Sequence, residues 1–244
     1  MKLFIAHLKL QLKNTFRNPA FWIPTMLFPM MFYVFFGSTM SPDGIYSEYA
    51  IASFCVYAVV GVAFYQFGAG IAQAREEEFN TWVKTLPKSS FASALAKAFS
   101  AMILAIGAVL LVIAASHIFG KAQLSFNSTV AVIAVCFLIS IPAALMGIAL
   151  GYATSAKAAS ALANLIFLPL AFLGGLWIPP IALPEIVKSI SIWTPIRQMG
   201  EFAWAAITLD LPNMNYILGL GAYTIGLVVL VIFLVRRDGK KRFG

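Results

Sequence analysis

Six stretches of this chain run for some twenty residues or more without a single Asp, Glu, Lys or Arg: Ala20 to Met40, Tyr49 to Ala72, Ala98 to Phe119, Ser128 to Tyr152, Ala158 to Trp177 and Tyr216 to Val235. About 20 apolar residues in helix cross the hydrocarbon core of a bilayer. No water is present there to satisfy backbone N–H and C=O groups, so each run must close its hydrogen bonds within itself. The reading is an all-α integral membrane protein with six transmembrane helices. A β-barrel would need short alternating segments, which these continuous runs are not. With 61% hydrophobic and only 11% charged residues, and a mean hydropathy of +0.89, the 244 residues lie outside the composition of soluble domains. The chain 1–244 reads as a single transmembrane domain, and its first apolar run is too long for a signal-peptide core, so it is expected to be retained.

The net charge of +8 raises the question of nucleic acid, and its distribution answers it. All but three of the 17 basic residues fall before the first run, between the second and third, between the fourth and fifth, or after the sixth. The exceptions are Lys121, Lys188 and Arg197. By the positive-inside rule both termini and the 73–97 loop are expected in the cytoplasm, in a multi-pass protein of the plasma membrane. The basic excess then serves topology and contact with membrane lipid, with no nucleic-acid surface.

Before the first span, Met1, Ile5, Leu8, Leu12 and Phe16 recur at spacings of four and three, flanked by Lys9, Lys13 and Arg17. Residues 1–18 therefore read as an amphipathic helix in the interface, either a topology anchor or a lever joined to a partner. Pro24 and Pro29 lie inside the first span, where each removes a backbone donor and favours a kink. Gly147 and Gly151 stand at GxxxG spacing, which lets two helix backbones approach closely. Gln66 and Asn164 are the polar groups of the spans that could line a pathway, and an interhelical hydrogen bond is the plain reading of Gln66. Cys55 and Cys136 lie within spans and read as small buried hydrophobes.

From Pro169 onwards the pattern breaks. Gly174 and Gly175 interrupt the fifth helix near its end, and Pro179, Pro180, Pro184 and Pro195 divide the next stretch into pieces too apolar for a solvated loop and too short to span. Residues 179–212 are expected to form external re-entrant or interfacial helices, serving as a folded cap or as a gate. Trp177, Trp193 and Trp204 suit an interfacial aromatic belt.

The remaining charge-rich segment is 73–97, QAREEEFNTWVKTLPKSSFASALAK. Glu76, Glu77 and Glu78 precede Phe79, Trp82 and Val83 on a short helix that Pro87 ends. No glutamate has a lysine four residues on, the spacing that stabilises a helix. The cluster is either a solvated face or a docking site, with Phe79 and Trp82 as the apolar anchors an interface uses. Enzymatic chemistry finds no footing. The chain has no P-loop, H-E-x-x-H, G-x-S-x-G or C-x-x-C, and its only histidines are His7 and His117. Ion-coupled transport needs ionisable groups within the membrane, and the six runs carry no Asp, Glu, Lys or Arg. A pathway without fixed charge suits an apolar or amphipathic substrate, and its energy must come from elsewhere.

Three stretches carry a resemblance to the membrane-spanning permease subunits of type-2 ATP-binding-cassette exporters. Arg75, Glu76, Thr81, Leu86, Pro87 and Lys97 match that family's R-E…T…L…P…K loop between the second and third spans. Pro169, Gly174, Gly175, Pro179, Pro184 and Pro195 match its pattern around the fifth span and external helices. Leu3 to Arg17 corresponds to its connecting helix. Phe79-Asn80 departs from the family, which often has glycine before the threonine.

The resemblance implies that Arg75, Glu76, Glu77, Glu78, Phe79, Thr81, Trp82, Leu86 and Pro87 couple the permease to a separate ATPase subunit. That partner, and not this chain, would hold ATP and Mg. It implies a second permease subunit, a homo- or heterodimer, and a substrate that is apolar or amphipathic, of the drug, antibiotic, lipid or glycan class. Motion of the loop would pass through the second and third spans to the external segment. An ATPase-independent channel or secondary transporter, and a membrane-anchored immunity or sensor protein, are the alternative functions the residues leave open.

Overall fold

The computed structural model describes residues 2–38, 45–76, 89–120 and 123–243. Their helices are α1 (Lys2–Phe16), α2 (Pro19–Phe32), α3 (Ile45–Ala63), α4 (Gly70–Glu76), α5 (Ser89–Phe119), α6 (Phe126–Ala153), α7 (Ala156–Leu173), α8 (Glu185–Ser191), α9 (Pro195–Thr208) and α10 (Met214–Phe243). Two π-helical turns interrupt this order, Tyr33–Gly37 after α2 and Phe64–Ala69 between α3 and α4. Six helices are long and apolar enough to cross a membrane: Pro19–Gly37, Tyr46–Glu76, Ala96–Phe119, Phe126–Ala153, Ala156–Leu173 and Met214–Asp238. They fall in order on the six uncharged runs. The sixth extends beyond its run, because α10 continues through Arg236 and Arg237 and turns Asp238 inward to 8% exposure.

The second span, α3 with its π-turn and α4, is the axis. Its most apolar window is 94% buried, against 6% for the sixth span. Ile51, Phe54, Val56, Val60 and Phe64 are shut away from the surface, with the first, third and fourth spans and α9 packed around them. The sixth span leans on the fourth and on α9 and turns Ile225, Val229 and Phe233 outward. Lipid tails are as apolar as these side chains, so such a face costs nothing in a bilayer.

Because hydrophobicity does not drive helices together in lipid, close packing must. The GxxxG pair of α6 supplies it. A Cβ on Gly147 would sit 2.3 Å from the carbonyl oxygen of Ala63, and one on Gly151 would sit 2.8 Å from the oxygens of Phe67 and Gly68. The neighbour that this motif serves is therefore the second span of the same chain. The contact falls on the Phe64–Ala69 π-turn, where the extra residue swells the helix toward α6 and α7.

At one end of the bundle, α1 lies along α5, with the rings of Phe4 and Phe99 edge to face at 5.4 Å. Its half-buried positions are Phe4, His7, Leu8, Gln11, Leu12 and Thr15. Leu8 and Leu12 of the expected apolar stripe lie on that face, but Ile5 and Phe16 are exposed, and Phe16 meets the Trp22 ring instead. The stripe splits because α5 and the start of α2 draw on different sides of one helix.

Gly147→Ala and Gly151→Ala are expected to lower the thermal midpoint of the purified protein, at a cost of about 1–3 kcal/mol each, the usual penalty for overpacking. A Cβ at Gly221 or Gly226 meets nothing within 4 Å, so alanine there should be neutral or mildly stabilising. A thermal-shift series over the four variants checks the contrast.

Candidate functional site

The structure gathers its polar chemistry at the two ends of the bundle. At the loop end, α4 finishes with Arg75 and Glu76. Arg75 Nη1 donates to the carbonyl oxygens of Gly151 (2.7 Å) and Thr154 (3.3 Å), while Nη2 meets Asp238 Oδ1 at 2.5 Å. The guanidinium also lies 5.1 Å above the Tyr152 ring. The last carbonyls of a helix have no partners within it and carry partial negative charge. Arg75 therefore caps the end of α6 with donors of the matching sign. Glu76 Oε1 accepts the backbone N–H of Ala156 at 2.8 Å, the first residue of α7. Ser155, which precedes α7, gives no side-chain cap, so Glu76 takes that role with a charge that suits a helix N-terminus.

Of the loop residues proposed to couple the chain to a partner, Arg75 and Glu76 are thus bound to their own chain. Glu77, Glu78, Phe79, Thr81, Trp82, Leu86 and Pro87 lie outside the described residues. Lys97 comes to this end as well, its Nζ 3.6 Å from where a Cβ on Gly70 would sit. By sequence alone RRDGKKRFG is a charged tail in which Asp238 has no role. Its one signal is its isolation as the single acid among those bases.

Within the bundle, Gln66 and Asn164 are not joined to each other. Gln66 is buried in the π-turn, its Nε2 donating to Ser100 Oγ of the third span at 3.4 Å, and its Oε1 has no partner among the described residues. The neighbouring Tyr65 hydroxyl bonds Asn164 Oδ1 of the fifth span. Residues 65 and 66 thus tie the centre of the second span to α5 on one side and α7 on the other. Cys55 and Cys136 are both buried free thiols.

At the opposite end, the cap end, Pro169 lies inside α7 and Gly174 closes it. Gly175 comes next with φ +79°, the left-handed region that glycine enters without strain. Pro179 and Pro180 begin a short 3₁₀ turn, Pro184 precedes α8, and Pro195 opens α9. These are the positions where proline's missing N–H costs least. The six candidate residues therefore shape one continuous fold-back.

α9 is wedged against the second, fourth and sixth spans. Ser128 Oγ at the start of α6 donates to Ile207 O at 2.8 Å, and Trp204 Nε1 donates to Ser53 Oγ at 2.8 Å. Arg197 pairs with Glu201 at 2.5 Å with its guanidinium 5.2 Å from the Trp204 ring. Trp177 forms the hub of an aromatic cluster shared by three spans, with Phe32 at 4.6 Å, Phe172 at 4.7 Å, Phe36 at 5.2 Å and Tyr57 at 5.7 Å. Between the cluster and α9 lies a cavity of about 400 Å³, whose lining includes Tyr49, Trp177, Pro180, Arg197, Glu201 and Trp204. Of the three tryptophans that suit an aromatic belt by sequence, Trp177 and Trp204 also anchor the fold-back to the spans, while Trp193 is 71% exposed.

Among the described residues, a six-span apolar bundle with polar contacts gathered at its ends is the architecture of a multi-pass membrane protein. The chain belongs to the ABC-2 type transporter family, whose model matches residues 2–207. It is similar to a Bacillus subtilis (strain 168) protein described as “Putative transport permease YvfS”, with 22% identity over 233 residues that cover 93% of this chain and 95% of the relative. Permeases of this family normally work with an ATPase subunit.

The double variant Gln66→Leu/Ser100→Ala separates packing from polarity. The Gln66 oxygen is buried without a partner among the described residues and the bond to Ser100 is long, so removing both partners should leave the thermal midpoint unchanged or raised. A drop of several degrees would show that the pair holds the π-turn together.

Proposed function

We propose that this chain is the transmembrane subunit of an ATP-driven exporter in the plasma membrane, with both termini and the 73–97 loop in the cytoplasm. A separate ATPase subunit docks on that loop and holds ATP and Mg. A second permease subunit completes the pathway. The substrate is apolar or amphipathic, of the drug, antibiotic, lipid or glycan class, because the spans offer no fixed charge to bind an ion or a strongly polar solute.

The observation that carries this reading is the placement of charge. The ion pairs drawn into the described protein are Arg75–Asp238 at the loop end and Arg197–Glu201 at the cap end, with an apolar bundle between them. With no Asp, Glu, Lys or Arg in the six apolar runs, this arrangement supports work entering at an end. The loop end is where Arg75 and Glu76 meet the end of α6 and the start of α7, and where Arg75 also pairs with Asp238 of α10. The cap end, with Gly174, Gly175 and the Trp177 cluster, is the natural exit gate, since two glycines and a single aromatic hub separate the fifth span from the fold-back.

Affinity purification of the tagged protein from native membranes in mild detergent tests the reading. An ATP-binding-cassette ATPase should be recovered in near-equal amount. Alanine at Glu76, Glu77 and Glu78 together should lower substrate-stimulated ATP hydrolysis while leaving membrane insertion intact. Alanine at Glu77 and Glu78 alone keeps the Glu76 contact to α7 and isolates the docking effect. A protein that purifies alone, with no ATPase activity, would overturn the assignment.

A further inference from the structure

We propose that Asp238 and Arg75 are positioning residues for coupling, and that the stroke of the ATPase reaches the cap through the fifth span, gripped at its start by Glu76. The inference rests on the exporter reading above and goes beyond it. That reading leaves open which helix is driven and gives the end of α10 no role.

Two consecutive residues at the base of the loop hold opposite sides of one tight turn. Arg75 caps the C-terminus of α6 through Gly151 O and Thr154 O, and Glu76 caps the N-terminus of α7 through Ala156 N. The turn between them is only Thr154 and Ser155. Any displacement of α4 along its axis is therefore applied directly to the start of α7.

α7 is placed to carry it together with the second span. It makes little contact with α6 beyond the turn and packs instead on the π-turn and α4 of the second span. Its 18 residues span about 27 Å with Pro169 in the last turns, and its far end is Gly174, Gly175 and the stacked pair Phe172 and Trp177. The Tyr65–Asn164 bond and the Phe64–Phe167 stack, with ring centroids 5.7 Å apart, keep the rod against the second span along its course.

Asp238 supplies what the two caps lack, a fixed orientation for Arg75. A guanidinium can turn about its long side chain, and its side chain here is 16% exposed. The carboxylate, 9% exposed, takes Nη2 and leaves Nη1 aimed at the α6 carbonyls. It also ties the sixth span into the same unit. A polar hollow of about 310 Å³, lined by Arg75, Glu76, Tyr152, Arg237 and Asp238 among others, lies beside this clasp.

The test uses the complex of the full chain with its ATPase in lipid nanodiscs. Spin labels are placed at Ile186 on α8 and Phe126 at the start of α6, both highly exposed. Their separation is measured by electron–electron double resonance without nucleotide and after trapping with ATP and vanadate. In the wild type the distance should shift on trapping. Asp238→Asn and Arg75→Gln should lose most of that shift while ATP hydrolysis continues, and Asp238→Glu should restore it. The double variant Arg75→Gln/Asp238→Asn leaves no unpaired buried charge, so it provides a folded clasp-free protein if a single variant fails to assemble.

A merely structural clasp would lower the thermal midpoint of the variants and leave the nucleotide-driven shift intact, which would overturn the proposal. A wild-type complex that hydrolyses ATP with no shift would overturn the fifth-span route alone. Absence of any ATPase in the complex would instead overturn the exporter reading on which it rests.

Discussion

The approach of the second and fourth spans at Ala63, Gly147 and Gly151 is the contact on which the rest of the bundle depends. In a bilayer, apolar side chains gain nothing by leaving lipid for one another, so helices associate where backbones can come close and dispersion contacts accumulate. Here the absence of two side chains on α6 lets carbonyl oxygens of the second span occupy their space. With the second span held there, the first and third spans cover its remaining faces, and the sixth is carried on the outside of the fourth. A single buried helix thus connects both ends of the molecule.

That arrangement gives the two π-turns a consequence. Each inserts an extra residue into a helix and leaves its backbone less regularly bonded, a feature common at functional positions. The turn at Phe64–Ala69 sits where α6 and α7 both meet the second span, and it presents Tyr65 and Gln66 to opposite neighbours. The turn at Tyr33–Gly37 stands just below the cap-end cavity, comes a single helical turn after Pro29, and buries the Tyr33 hydroxyl without a partner among the described residues. Both lie between the loop end and the fold-back, where compliance would serve the coupling proposed above.

The polar ends differ in kind. At the loop end, ionised side chains of one helix satisfy the orphan backbone groups of two others, so charge joins elements distant in sequence. At the cap end, Arg197 and Glu201 neutralise each other four residues apart on α9, and the joining is done by indole rings and hydroxyls. Charge-assisted bonds hold direction and register. Aromatic packing holds shape and can be repacked. The first suits a rigid input and the second a surface that opens.

The six spans and the break after the fifth were legible in the residues because each arises from local chemistry, and the motifs carried the family. An uncharged run of 20 residues in lipid has only the helix available to it, and the pair Gly174 and Gly175 ends one, although Pro24, Pro29 and Pro169 lie inside theirs. The GxxxG pair was legible as packing, but its partner was not. The sequence also could not show that Arg75 and Glu76 face inward to the α6–α7 turn, that Asp238 leaves a basic tail to meet them, or that Trp177 and Trp204 are anchors. The polar contacts among these are made across 76 to 163 residues of chain. Local composition determined what each segment had to be. Which segments meet was decided only by the tertiary structure, since apolar spans are nearly interchangeable in their attraction, and the choice falls to shape, small residues and a few polar partners that no spacing rule records.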